Sequence, residues 1–194
     1  AKAIGANTII HMSSAAIYQP GANLSALHPK TTCSHYGKSK LDMEHEVENL
    51  RRDDGLAHMC LRLANVVGAD SLAPALTRDG PATMDNFNAG HGAESGPVRS
   101  YIGAVDLLRV IDGLLGLDPR VAPKIVNVAS PAPFNKRDLL HAAGRGIIWR
   151  PAPPNAVAQV TLNTERLQKL LPDLHLTSNA RDLITEWQRL ERQI

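Results

Sequence analysis

Apolar residues come in short packets along this chain, and their spacing switches between the period of a strand and that of a helix. "TIIHMS", Thr8 to Ser13, sets Ile9, Ile10 and Met12 in a brief apolar run that ends in small polar residues, the mark of a strand buried in a parallel sheet. "HMCLRLANVVG", His58 to Gly68, alternates at Met59, Leu61 and Leu63 and predicts a second strand. Between them, Ser34 to Arg52 predicts a helix. Asp42, Glu44, Glu46 and Glu48 precede Arg51 and Arg52, as the helix dipole favours, and Gly55 marks the turn that follows. Strand, helix and strand within ~60 residues form a βαβ unit, which calls for a right-handed crossover and a parallel sheet.

The same reading extends to both ends. Ala1 to Ile4 reads as the last turn of a helix stopped at Gly5, so the chain is expected to begin partway through a fold. Tyr18 to Thr32 reads as a loop, and residues 70 to 98, rich in Gly, Pro, Asp and Asn, as loops with at most a short helix. "RSYIGAVDLLRVIDGLLG" predicts a short strand and a helix from Ala104 to Leu115, and "KIVNVAS" another buried strand. "NKRDLLHAAG" predicts a helix capped at Asn135 and closed by Gly144, and "IIWRPAPP" a strand cut off by prolines. "NTERLQKLLP" and "SNARDLITEWQRLERQ" predict the closing helices. The fold class is therefore α/β, with no internal repeat or clean linker.

Composition narrows the function. With 194 residues the chain can bury a real core as one good-sized domain. A net charge of +2 without a basic run, and aromatic residues at only 4%, leave neither the charge nor the stacking surface for nucleic-acid binding. No apolar run approaches the ~20 residues of a membrane helix, and no signal-peptide layout is present at the start. Cys33 and Cys60 lie far apart, which predicts two free thiols and a cytoplasmic location. The eight histidines show no metal-ligand spacing, and there is no GxSxG nucleophile motif.

Candidate chemistry centres on "SHYGKSKLDMEHEVENL". Tyr36 and Lys40 are four apart at the head of the predicted helix, so they share a face, and the ammonium can favour a phenolate. A tyrosine used as an acid or base needs such help. Taken alone, the pair is read more readily as a surface lysine beside a half-buried tyrosine. Three further stretches accompany it in order: "IIHMSSAAIYQP", with Ser13 and Ser14 at the carboxyl end of a strand, where open α/β sheets hold ligands; "LRLANVVGA", with Arg62, Asn65 and Gly68; and "VRSYIGAVDLLRVI".

Together these resemble the extended short-chain dehydrogenase/reductase superfamily, in its NAD-dependent epimerase/dehydratase branch typified by UDP-galactose 4-epimerase. The resemblance runs from Asn7 to Ser130 and more loosely beyond. It implies a partial Rossmann-type doubly wound parallel sheet with a small C-terminal α+β substrate-binding part. Residues 1–68 would belong to the NAD(P)-binding half and 69–194 mainly to the substrate side, with 99–130 returning partly to the sheet. It further implies NAD or NADP as cofactor, Ser14, Tyr36 and Lys40 as catalytic residues, and Ser13, Ala64 and Asn65 beside them at the cofactor. Ser14, Asn65 and Arg99 would meet a small-molecule substrate, with Arg99 at a diphosphate, and the full-length protein would be a homodimer.

The sequence departs from that family in three places. No glycine-rich phosphate turn is present, since "GRGIIW" precedes a strand, so the chain is expected to correspond to the C-terminal two-thirds of such an enzyme and to bind dinucleotide poorly alone. Gly103 stands where the family has a histidine, although Asp106 is kept. The stretch from Gly68 to Arg99 is short for an enzyme of bulky nucleotide sugars. Three functions follow: an oxidoreductase or epimerase of a nucleotide sugar, a reductase of a smaller carbonyl compound, or a non-catalytic dinucleotide-binding protein.

Overall fold

The computed structural model describes residues 1–32, 34–53, 55–90 and 92–193, so the predicted thiol Cys33 lies outside them. Eleven strands and six helices are present among the described residues. In chain order they are β1 (Thr8–Ser14), β2 (Gly21–Leu24), α1 (His35–Asp53), β3 (Ala57–Leu63), β4 (Asn65–Val66), α2 (Ala73–Thr77) and β5 (Ala82–Asn86). There follow β6 (Val98–Arg99), β7 (Tyr101–Ile102), α3 (Ala104–Leu115), β8 (Ile125–Val128), β9 (Phe134–Asn135) and α4 (Lys136–Ala142). The last are β10 (Ile147–Pro151), β11 (Gln159–Leu162), α5 (Glu165–Leu170) and α6 (Ala180–Glu191).

The fold is mixed α/β with parallel sheets. β1, β3 and β8 form a three-stranded parallel sheet in that order, and β1 and β3 are joined through α1, the βαβ unit of the sequence. Both faces of β3 are covered, so Met59 and Leu61 pack on one side while His58, Cys60 and Arg62 are buried on the other. The apolar side meets α3 and α5 through Val110, Leu114 and Leu167. The polar side faces α1. A second core lies under α2, α4 and α6, around Leu76, Tyr101, Leu139 and Leu183. Cys60 is buried and unbridged, and among the described residues no helix is long and apolar enough to cross a membrane.

Several loops of the sequence reading are strands. The predicted loop from Tyr18 to Thr32 contains β2, which pairs with β11 in a sheet ordered β2, β11, β6, β9. β11, absent from the sequence reading, lies far along the chain from β2, so local pattern gives neither away. Residues 70–98 contain β5, which pairs in parallel with β10, besides the short helix α2. The strand read through Gly68 breaks after Leu63. Beyond Ala64 the chain leaves β8, and Asn65 and Val66 pair instead with Tyr101 and Ile102 of β7. That change of sheet opens a cleft at the carboxyl end of β1 and β3.

Candidate active site

The cleft is built from three local devices. Ser14 ends β1 and caps the following helical turn, Ala15–Ile17, where its Oγ accepts the Ala16 N–H at 3.1 Å. Ser34 opens α1 by accepting the Gly37 N–H at 2.9 Å. Thr32 Oγ1 donates to the Ala16 carbonyl at 2.9 Å, which draws the start of α1 onto the turn after Ser14. Gly37 makes this approach possible, because a Cβ there would collide with Thr32 Oγ1 and the Ala16 carbonyl.

Tyr36 and Lys40 project from this first part of α1. The Lys40 ammonium lies 5.7 Å from the Tyr36 ring centroid and donates to the Met12 carbonyl at 2.9 Å. Tyr36 is 56% exposed, with its ring on the wall of a cavity of about 280 Å³. Ser14, Ala64, Asn65 and Arg99 line the same cavity, so the structure brings five sequence-chosen residues around one space, with Lys40 beside Tyr36. Tyr18 and Ser100 also line it; both lie in the stretches that carry the resemblance, which assigned them no role. Larger concavities lie under α6, about 470 Å³, and between α3 and α5, about 460 Å³, but neither gathers the candidate groups.

Arg99 is held by backbone. Its Nη1 donates to the Val98 and Ala158 carbonyls at 2.8 and 3.1 Å, and its Nη2 to the Val157 carbonyl at 2.7 Å. Among the described residues no carboxylate forms an ion pair with it. Burial pulls this guanidinium below its ordinary value, yet an arginine stays cationic, so a positive charge borders the cavity. Nearby, Tyr101 donates to Asp70 Oδ2 at 3.0 Å; burial pushes both groups up, and the Asp70 charge raises Tyr101 further.

Ser13 is placed elsewhere. Adjacent strand residues point to opposite faces, so Ser13 faces α1, buried, and its Oγ donates to Glu44 Oε1 at 2.7 Å. Glu44, read from sequence as one of several acids that suit the helix dipole, is 4% exposed. It accepts Arg62 Nε at 2.9 Å and Nη2 at 2.7 Å. Arg62 Nη1 donates to the Tyr18 hydroxyl at 2.6 Å and the Ala26 carbonyl at 2.9 Å, and Tyr18 in turn donates to Asn127 Oδ1 at 2.9 Å. Burial disfavours the Glu44 carboxylate, but the hydrogen bonds from Arg62 and Ser13 outweigh it and hold the carboxyl below the usual range. A charged residue near the end of a mostly apolar strand was the available signal for this network.

The sequence model of the NAD dependent epimerase/dehydratase family matches residues 1–129. The chain belongs to that family. Solved structures give the particulars. MoeE5 in complex with UDP-glucuronic acid and NAD is similar at TM-score 0.78 and 14% identity, over 97% of this chain and 66% of that one. The UDP-glucuronic acid 4-epimerase of Bacillus cereus, in complex with UDP-glucuronic acid and NAD, is similar at TM-score 0.77 and 17% identity, over 97% and 62%. The UDP-glucose 4-epimerase of Bifidobacterium longum, in complex with NAD+ and UDP, is similar at 0.74 and 20%, over 98% and 66%. The chain thus spans somewhat under two-thirds of the length of these relatives, and the likeness is one of fold. A search of curated proteins by sequence found no match.

Proposed function

We propose that this chain carries the catalytic residues of an NAD-dependent enzyme that epimerises or oxidises a sugar hydroxyl of a nucleotide sugar. The observation that carries the reading is the convergence of Ser14, Tyr36, Asn65 and Arg99 on one cavity, with Lys40 beside Tyr36. In this reading residues 1–68 supply the cofactor side and 69–194 mainly the substrate side, with 99–130 returning partly to the sheet.

The residues fit the nicotinamide end of the dinucleotide. Lys40 spends one N–H on the Met12 carbonyl, and the ammonium has others to offer a ribose hydroxyl. Backbone at Ala64 and Asn65 lines the same cavity as Tyr36 and suits a carboxamide. NAD, when bound, supplies the hydride acceptor and donor. The Ser14 hydroxyl donates to the reacting oxygen of the substrate and orients it. The Tyr36 phenolate, favoured by the Lys40 charge, takes the proton from the substrate hydroxyl, and the resulting phenol returns it. Arg99 offers its remaining N–H groups to a phosphate, for which its planar donors are suited. Leu63 and Ala64 add apolar surface to the lining.

A cavity of about 280 Å³ favours, as a second reading, reduction of a smaller carbonyl compound. Dimerisation through α1, whose outer face carries the exposed Leu50, and a reducing cytoplasmic setting that suits the unbridged Cys60 belong to the first reading.

The test uses purified protein, UDP-glucose and NAD in large excess, which offsets the weak dinucleotide binding expected of this chain alone. Turnover is expected, and Tyr36→Phe should cut kcat by at least about a hundredfold while NAD affinity by calorimetry stays within about threefold. Turnover of small ketones but not of UDP-sugars would favour the second reading. Full activity in Tyr36→Phe would remove the tyrosine from the chemistry.

A further inference from the structure

We propose that Glu44 and Arg62 are positioning residues, whose buried ion pair sets the register of α1 on the sheet and so fixes Tyr36 and Lys40 against Ser14. The inference rests on the proposed roles of those three residues.

The geometry is a tripod. Ser13 and Arg62 are partners across the β1 and β3 pairing, side by side on the face that α1 covers. Glu44 reaches down from α1 and meets both, one oxygen shared by Ser13 Oγ and Arg62 Nε and the other bonded to Arg62 Nη2. It stands four residues beyond Lys40 and eight beyond Tyr36, on the same side of the helix. Ser13 is covalently next to Ser14. The carboxylate therefore ties the strand that ends in Ser14 to the helix that carries Tyr36 and Lys40.

Apolar packing could not do this alone. α1 is mostly polar, with Val47 fully buried and Leu41 half-buried on its inner face. Contact between such side chains is non-directional and survives a slide of the helix. A bidentate ion pair does not, because a shift of one residue would leave a fully buried guanidinium without its carboxylate.

The network also reaches the cavity and the approach to α1. Arg62 lies over the Tyr18 ring at 5.1 Å and bonds its hydroxyl, and Tyr18 is one of the residues that line the cavity. Its bond to the Ala26 carbonyl, and the Lys30 ammonium 3.8 Å from Glu44 Oε2, hold the segment that delivers α1. One pair of charges thus couples the helix, the serine strand and the cavity floor.

The test replaces both charges with apolar residues of similar size, Glu44→Leu with Arg62→Met, so that neither is stranded. Three quantities are read: the melting temperature, the acetylation rate of Lys40 by acetic anhydride relative to exposed Lys38 in the same chain, and the kinetics with NAD and UDP-glucose. A positioning role predicts a folded variant in which Lys40 labelling rises about fivefold as its tie to Met12 loosens. It also predicts that kcat falls about tenfold or more while KM changes by less than about threefold. A folded variant with unchanged Lys40 labelling and unchanged kcat overturns the proposal. Should the double variant fail to fold, Ser13→Ala, which removes one donor and strands no charge, is expected to raise Lys40 labelling about twofold, and no rise overturns the proposal. Absence of turnover in the parent protein even at NAD in large excess would count against the enzymatic reading, and the labelling would still decide whether the pair holds the register.

Discussion

Gly37 shows how one missing side chain can set a site. It follows Tyr36 directly, and its bare Cα lets the first turn of α1 press against the Ala16 carbonyl and Thr32 Oγ1. A methyl group has no space there, since one colliding neighbour is backbone and the other is held in a hydrogen bond. Gly37→Ala is therefore expected to destabilise the protein by about 2 to 3 kcal/mol despite the better helix propensity of alanine, because overpacking outweighs the gain. Urea denaturation would show it. The displaced turn carries Tyr36, so the cavity should widen at that wall.

At the scale of the element, α3 is capped by a different helix. Its N-cap residue is Gly103, which has no side chain to offer, and the Val105 N–H donates instead to Glu186 Oε1 of α6 at 3.2 Å. Gly103 makes room for that carboxylate, for a Cβ would lie 2.5 Å from Glu186 Oε1. The glycine that departs from the family's histidine is thus matched by an acid more than eighty residues later. By contrast α4 is capped locally, where Asn135 Oδ1 accepts the Arg137 N–H at 3.0 Å. Glu186→Ala should cost about 1 kcal/mol, through loss of the hydrogen bond and of the negative charge at the helix N-terminus. Thermal melts of Glu186→Ala beside Asn135→Ala would show similar losses, although only the second could be read from local sequence.

The whole molecule depends on its buried ion pair. The Glu44 carboxyl is held below its ordinary value near 4.5, so its ionised form is favoured by folding. A lowered carboxyl contributes stability that is fully present above the unfolded value and is lost as pH falls through the folded one. The melting temperature should accordingly drop as pH is lowered below about 4.5, and drop less steeply in the Glu44→Leu/Arg62→Met variant. Glu44→Ala alone should lose about 3 to 5 kcal/mol at neutral pH, because it leaves the Arg62 charge buried and unpaired, while the double replacement should be close to neutral. Calorimetry from pH 3 to 7 would measure both.

The sequence by itself determined the elements whose signals are local. The helix at Tyr36, the Asn135 cap and the span Ala104 to Leu115 each follow from periodicity and end residues within one turn. Spacing paired Tyr36 with Lys40, and the family resemblance added Ser14 to them. Only the tertiary structure decided what depends on residues far apart in the chain. β2 became a strand because β11 lies beside it; the second strand broke at Ala64 because β7 drew Asn65 and Val66 away; Ser13 turned from the cavity to a buried carboxylate because strand alternation and Arg62 left it that face. A pairing partner, a burial partner and a charge partner are each supplied by the fold, and a local pattern contains none of them.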